Sequence, residues 1–592
     1  MNKHSLIDLL LAYGPRPDGN AMYDEFVQTE AERTGFDPLK IPEDVSTEVI
    51  QLISGSDPRS VILTGTAGDG KTYTARCTFQ ELKPGCWNDT EIENVVPEHG
   101  QRPKIRFIKD LSELSRKERE KIFPDIVASF TGRSPDRFVI CVNDGQLLSF
   151  FRENQNNPDA NPLVAEISEM LQSGEQAPKQ NFLFNLIHMS RKSHSETIDA
   201  IFKKILQHPG WKAFSESAPN KDVNPILINR DILLGQNGNS LFQQRLKDLV
   251  EIAAADEHHL PLRHLIILVV NALLGNSQNP NQPLMDADRA AGVTEPSDYS
   301  FTDPYSNLFG YNHAASVREG TAAFRALAEI GVGEETTNTI DDTLLDEERS
   351  KSLPKDEFYG EPLIKQARAD YAEDPAGQAG IIREILRRQR RRLFLTLPSD
   401  NCIHQDPWAL TRFHYAQRYL DMARALTDGD LVETSTTRMI IRGLNRTLTG
   451  TLTETDDKFW LTRPMGAQQG RFVPLLVDHP ISWKSRYTRV LLEAPKASGR
   501  PPHFLISESS VPLARLELTP SMFEFLCRVA HGSLPGSFGS KCIQDVRTFQ
   551  IKAFGAIEHA AHSNDQTVQL SAVGLGQDGH LQERPIKILE DT

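Results

Sequence analysis

Gly65, Thr66, Ala67, Gly68, Asp69, Gly70, Lys71 and Thr72 stand in that order and complete a G-x-x-x-x-G-K-T. These residue types at this spacing can hold a phosphate chain. The glycines let backbone N–H groups curl around the phosphates. Lys71 brings a point charge to the β- and γ-phosphates, and the Thr72 hydroxyl is placed to ligate Mg²⁺. An apolar run at residues 61–63 leads into the loop, and a helix-compatible run from Tyr73 leaves it. That helix aims its positive end at the same phosphates. The expectation is a site for ATP and Mg²⁺, with Lys71 also serving catalysis.

Hydrolysis needs a second, acidic element to hold Mg²⁺ and activate water. Residues 138–142 (Phe-Val-Ile-Cys-Val) end in Asn143-Asp144, the form of a Walker B strand with an unusual ending. Two registers are open. Asp144 is the Mg²⁺-proximal acid, or Asn143 takes that place and Asp144 is the carboxylate that activates water. A purely structural alternative is a strand closing in an Asx turn at Asn143-Asp144-Gly145.

Such residues need a parallel sheet to bring them together. Short β-branched or aromatic runs at residues 61–63, 105–108, 138–142 and 225–228 are candidate strands buried on both faces. Helical stretches between them, such as 115–130 and 181–190, complete an α/β pattern. A short helix is expected at 46–54. Residues 154–180 are polar and fit an excursion. Residues 241–275 are strongly helical, and 276–303 are loop-like. The organisation expected is an N-terminal helical segment (1–45), a P-loop core (46–240), a helical lid region (241–395) and a mixed α/β C-terminal domain (396–592). The last strands are expected at 567–573 and 586–589, around a turn at 577–579.

The chain has 592 residues, enough for several domains, with 39% hydrophobic and 24% charged residues as in ordinary globular proteins. The apolar run at 265–274 is too short to span a bilayer, and no membrane partner is expected. No basic segment followed by an apolar stretch opens the chain, so a cytoplasmic location is expected. Six cysteines show no C-x-x-C pair, which argues against a zinc site or a disulfide scaffold. A net charge of −15 disfavours non-specific coating of DNA. One exception to the acidic character is the run at 381–398, with six arginines from Arg383 to Arg392 on an expected helix. It is a candidate contact for DNA or another polyanion, with the acids at 341–348 as the internal competitor. His258-His259 fits a surface feature better than a metal site, and no nuclease signature is visible.

The loop at 65–72, Val142-Asn143-Asp144-Gly145, Asn307-Leu308-Phe309-Gly310 and Arg391-Arg392-Leu393-Phe394 carry a resemblance. Over about the first 400 residues the chain resembles AAA+-type P-loop ATPases of bacterial phage-defence systems, and among them the DptF-type family of DNA phosphorothioation-dependent restriction proteins. The resemblance implies an AAA+-like parallel-sheet core with a helical lid. It implies an ATPase subunit acting with other subunits of a defence operon, a nuclease among them, with DNA and further copies of the chain as partners. In such ATPases the strand beside Walker B ends in a polar sensor residue near the γ-phosphate. Asn229, after 225–228, fits that place, with Arg230 beside it. A lid helix commonly supplies an arginine to the nucleotide, and Arg263 fits. Arg289 and Arg318 are candidates by position for an arginine acting on a neighbouring copy. Asp144 in place of a glutamate departs from the family pattern and points to slow hydrolysis. That departure keeps open a STAND-like switch that oligomerises when ATP binds.

Overall fold

The computed structural model describes residues 5–15, 23–39, 41, 43–83, 87, 92–95, 104–154, 160–191, 193–235, 240–293, 296–401, 403–462, 475–482, 488–495, 499–508, 511–564, 570–575 and 581–586. The chain packs as two compact units. The first comprises Met1–Lys247, His259–Glu329 and Thr343–Leu397; the second comprises Asp248–His258, Ile330–Asp342 and Pro398–Thr592.

The first unit opens with helices α1 (Ser5–Leu11), α2 (Tyr23–Thr34) and α3 (Glu43–Ser54). Its sheet holds β1 (Ser60–Thr64), β2 (Ile92–Val95), β3 (Ile105–Ile108), β4 (Arg137–Val142) and β5 (Phe184–His188), in the order β2-β3-β4-β1-β5. β3, β4, β1 and β5 run parallel, and β2 adds an antiparallel edge. The register pairs Val61 with Val139 and with Asn185. Helices α4 (Lys71–Leu82), α5 (Arg116–Phe130), α6 (Asp144–Arg152), α7 (Ala160–Ser173) and α8 (His194–Leu206) connect the strands and follow the sheet.

β1 and β4 are buried at every residue. Side chains alternate across a strand, so each strand feeds two cores. Ile62, Phe138, Ile140 and Phe184 join Phe123, Phe130, Phe150 and Phe151 on one face. Val61, Leu63, Val139, Cys141 and Ile187 join Val49, Ala75 and Phe79 on the other. Helices cover both faces, and this is why the strands carry continuous apolar runs.

Three expectations change. Residues 225–228 are not a strand but the first turn of the helix Pro225–Leu234. Asn224 accepts from the Ile226 and Leu227 amides and Pro225 sits at the helix start, a strong N-terminal signal. A short run buried all round does not reveal its own periodicity. Conversely, the stretch 181–190, expected as a helix, contains β5, which pairs with β1 along its whole length. The polar stretch 154–180 holds α7, whose Leu163, Ile167 and Met170 are buried at helical spacing. The long apolar helix is present as Leu262–Leu274, buried from Leu265 onward. Among the described residues no helix is long and apolar enough to cross a membrane.

The second unit contains a three-stranded antiparallel sheet and a four-stranded one. The first is built from β8 (Thr488–Glu493), β9 (His503–Glu508) and β10 (Val511–Glu517). The second is built from β6 (Lys458–Thr462), β7 (Leu475–Ser482), β11 (Leu570–Leu575) and β12 (Leu581–Ile586). Leu570–Leu575 overlaps the expected strand 567–573, whereas Leu581–Ile586 reaches only the first residue of the expected 586–589; residues 567–569, 577–579 and 587–589 fall outside the described residues. The helices Thr434–Thr449 and Pro520–Ala530 cross tightly at Gly443, where a Cβ would sit 2.3 Å from the Leu526 carbonyl oxygen. Arg446 is buried beside that crossing and donates to the Val529 and Ala530 carbonyls.

Candidate functional site

β1 ends at Thr64, and the loop from Gly65 to Gly70 delivers the chain to α4. Gly65, Gly68 and Gly70 have φ of 143°, 89° and 84°. Residues with a Cβ rarely adopt such angles, so the glycine spacing is a backbone requirement. Lys71, the first residue of α4, is nearly buried. Its Nζ donates to the Gly65 carbonyl (3.1 Å), the Thr66 carbonyl (2.6 Å) and Asn143 Oδ1 (3.0 Å). Burial pulls the Lys71 ammonium below its ordinary range, and the nearby Asp69, Asp110 and Asp144 carboxylates oppose that shift.

The loop borders a cavity of about 240 Å³ outside the carboxyl ends of the strands, where parallel sheets bind ligands. Its glycine-rich side is Ala67, Gly68, Gly70, Lys71 and Thr72, and Asp110 and Asn143 come from the ends of β3 and β4. Arg263 and Ile266 come from the helix Leu262–Leu274. A less polar wall is formed by Tyr13, Val27, Pro38, Leu39 and Ile41, with Tyr73 and Arg76 from α4. The Tyr13 hydroxyl accepts from the Leu39 amide at 2.8 Å and braces that wall.

Asn143 and Asp144 diverge. Asn143 faces the cavity and meets Lys71. Asp144 opens α6 and does not line the cavity. Its carboxylate accepts from Thr64 Oγ1 and pairs with His188 Nε2 at 2.8 Å, between the ends of β1 and β5. Asp110 is the acid that does line the cavity, and it was not among the sequence candidates. The signal existed, because β3 runs apolar into Lys109-Asp110. It was obscured by Arg106, whose charge is met by Asp125 and the Phe138 ring.

Arg263 lies beside the loop. Its amide donates to the Gly68 carbonyl at 3.4 Å, and its side chain borders the cavity. Asn229 does not. It lies in the middle of the helix Pro225–Leu234, fully buried and away from the cavity lining. Its Nδ2 donates to the Leu273 and Thr302 carbonyls and its Oδ1 accepts from the Tyr359 hydroxyl. The strand end that would have aimed it at a phosphate is absent, and the amide is spent on packing helices together. Arg230 donates to the Leu206 carbonyl and stacks on Trp211. Arg289 donates to the Gln282 and Leu284 carbonyls, and Arg318 lies over Tyr311.

His259 is exposed, as expected of a surface feature, and it also touches the loop. Its Nε2 bonds Thr66 Oγ1 and lies 3.5 Å from Asp69. Sequence distance hid this contact.

The arginine run lies on the helix Pro375–Thr396. Arg390, Arg391 and Arg392 face inward and are buried, while Arg383 and Arg387 face solvent. Arg391 stacks 3.6 Å from the Tyr311 ring centre. Arg392 donates to the Pro354 carbonyl and to Gln389, and Arg388 donates to the Ser300 carbonyl. The acids at 341–348 are not the partners seen in these contacts.

The donors at the cavity suit a hard cation. Thr72 offers a hydroxyl and Asp110 a carboxylate, the sparse oxygen set that Mg²⁺ accepts when phosphates and waters complete its shell. Among the described residues no group of three or more His, Cys, Asp or Glu is placed to hold a metal. No family model, curated protein or solved structure matches the chain.

Proposed function

We propose that the chain is a Mg²⁺-dependent P-loop ATPase. The observation that carries this reading is the convergence of Lys71, Thr72, Asp110 and Asn143 on one cavity, at the strand ends and the start of α4. Backbone amides of the loop and the α4 N-terminus receive the phosphates. Lys71, held by two loop carbonyls and Asn143, places its charge at the β- and γ-phosphates. Thr72 and Asp110 would hold Mg²⁺, which would supply positive charge to offset that of the phosphates. Asn143 is positioned to orient the terminal phosphate or the attacking water. Arg263 adds positive charge from the opposite wall, and the wall of Tyr13, Leu39 and Ile41 receives the base. This assignment moves the acid from Asp144 to Asp110.

The resemblance to phage-defence ATPases supports a role as the ATPase subunit of a DNA restriction complex, with the nuclease on a partner. A second reading, a nucleotide-gated switch with slow turnover, draws support from Asp144. Its carboxylate is engaged by Thr64 and His188 away from the cavity, and among the described residues the acid on the lining is Asp110, whose Oδ1 accepts from Ser112. Steady-state ATP turnover, measured alone and with DNA or partner proteins, tests the proposal. Mg²⁺-dependent turnover that Lys71→Ala abolishes supports an ATPase. Tight binding with turnover below about one per minute favours the switch, since ordinary enzymes run far faster.

A further inference from the structure

Asp69 is a carboxylate inside a loop shaped to take phosphate, and it is almost wholly buried. By charge alone it opposes an anionic ligand. The structure turns it away from the phosphate side and gives it several donors. Its Oδ2 accepts from the Thr66 amide at 2.6 Å, from Thr66 Oγ1 at 3.1 Å and from Ser190 Oγ at 2.5 Å. The Thr66 hydroxyl gives its proton to Asp69, so it accepts from His259 Nε2, which also lies 3.5 Å from the other carboxylate oxygen. Burial pushes the Asp69 carboxyl up, but hydrogen bonds from His259, Ser190 and Thr66 outweigh it and keep the group ionised.

Three separate pieces of chain meet there. Thr66 belongs to the loop, Ser190 to the turn Met189–Arg191 after β5, and His259 to the segment leading into the helix Leu262–Leu274. Gly65 leaves the room: a Cβ on it would come within 2.7 Å of Asp69 Oδ2 and 2.8 Å of Ser190 Oγ. A loop with glycines at 65, 68 and 70 has much conformational freedom to lose on binding. We infer that Asp69 is a positioning residue that, through Thr66, Ser190 and His259, clamps the loop in its phosphate-receiving shape before the nucleotide arrives. This inference rests on the proposed nucleotide site.

The two effects of Asp69 have opposite signs, and the geometry decides between them. A carboxylate held by several donors keeps its field local, whereas an unclamped glycine loop must be ordered by the ligand. Removing the clamp therefore weakens binding despite removing a negative charge.

The test is the affinity of the full chain for Mg²⁺ with a non-hydrolysable ATP analogue, measured by calorimetry, alongside thermal stability without nucleotide. Asp69→Ala is expected to bind about tenfold or more weakly, the loss of charge-assisted hydrogen bonds. Asp69→Asn, which still accepts from the Thr66 amide, should fall between it and the parent. Ser190→Ala should weaken binding about threefold to tenfold, on the scale of one hydrogen bond. Its loss should vanish in the Asp69→Ala background, because the two act as one unit. In turnover, KM should rise with kcat retained at saturation. Lys71→Ala separates the levels. If it binds like the parent, the nucleotide site itself is wrong. If it abolishes binding while Asp69→Ala and Ser190→Ala bind as tightly as the parent or tighter, or if their losses simply add, the clamp is wrong.

Discussion

Lys71 and Arg391 are both nearly buried cations in segments that stand out in the sequence, and they end in opposite circumstances. Lys71 lies on a cavity wall with Thr72, Asp110 and Asn143, anchored by loop carbonyls that fix where its charge points. Arg391 lies against Tyr311, in a helix whose neighbouring arginines are spent on the Pro354 and Ser300 carbonyls. One cation borders open space, and the other is enclosed by the protein's own interior. Charge density along a sequence distinguishes neither case. What separates them is whether the backbone around the charge leaves a space for something else.

If that contrast holds, the largest effect on stability belongs to the arginine helix. Arg391→Gln should lower the unfolding free energy of the first unit by about 3 kcal/mol, because the buried Asp303 carboxylate beside it loses a compensating charge. Denaturant titration reads it. Any DNA affinity and its salt dependence should stay unchanged. A drop of about 0.9 in the log–log salt slope with stability intact would mean that phosphate is the partner after all.

An interior polar group gives a similar test by pH. His313 is buried with Nε2 2.9 Å from Asn271 Oδ1, and burial pushes its pKa down to about 4. The unfolded chain, near 6.5, takes up the proton first. Stability from this group is therefore whole above about pH 6.5 and falls as the pH drops toward 4, by up to about 3 kcal/mol. His313→Gln should flatten that part of the stability profile. An unchanged profile would remove His313 from the account.

At the crevice, Asp110→Asn should cut ATP turnover about 100-fold, the scale of losing one preorganised electrostatic contact, with thermal stability nearly unaltered. Asp144→Asn should cost less than about tenfold, because its carboxylate serves the Thr64 and His188 contacts rather than the cavity. The reverse ranking would restore Asp144 as the acid. The smallest effect is expected for Arg383→Gln with Arg387→Gln. Both face solvent, Arg387 pairs with Glu384 at 3.5 Å on the exposed face, and stability should move by no more than about 0.5 kcal/mol.

The loop, β1 and β4 were legible because each needs something local: glycine at positive φ, or a run buried on both faces. β5 was not, since Asn185 and His188 interrupt its apolar character and its pairing with β1 is a long-range event. The helix Pro225–Leu234 was misjudged although Asn224-Pro225 carried a start signal; its buried, all-apolar first turn looks the same in either conformation. Of the residues that line the cavity, Lys71, Thr72, Asn143 and Arg263 could be chosen from spacing and position. Asp110 was masked by the charged residues beside it, and Asn229 followed the misplaced strand. The Asp69–Ser190–His259 cluster has no signature along the chain, since its members are separated by more than sixty positions. In the arginine run, Ile382, Leu386, Gln389 and Leu393 mark a buried stripe at helical spacing. Arg391 falls on the opposite side of the helix from that stripe, so its burial had no signal in the periodicity.

The central claim is that the crevice beside Lys71 is the nucleotide site. Calorimetric titration of the full chain with Mg²⁺ and a non-hydrolysable ATP analogue, for the parent and for Lys71→Ala matched in thermal stability, addresses it directly. The account predicts one nucleotide bound per parent chain and no measurable binding to Lys71→Ala. Equal affinity of the two proteins for the analogue would contradict it.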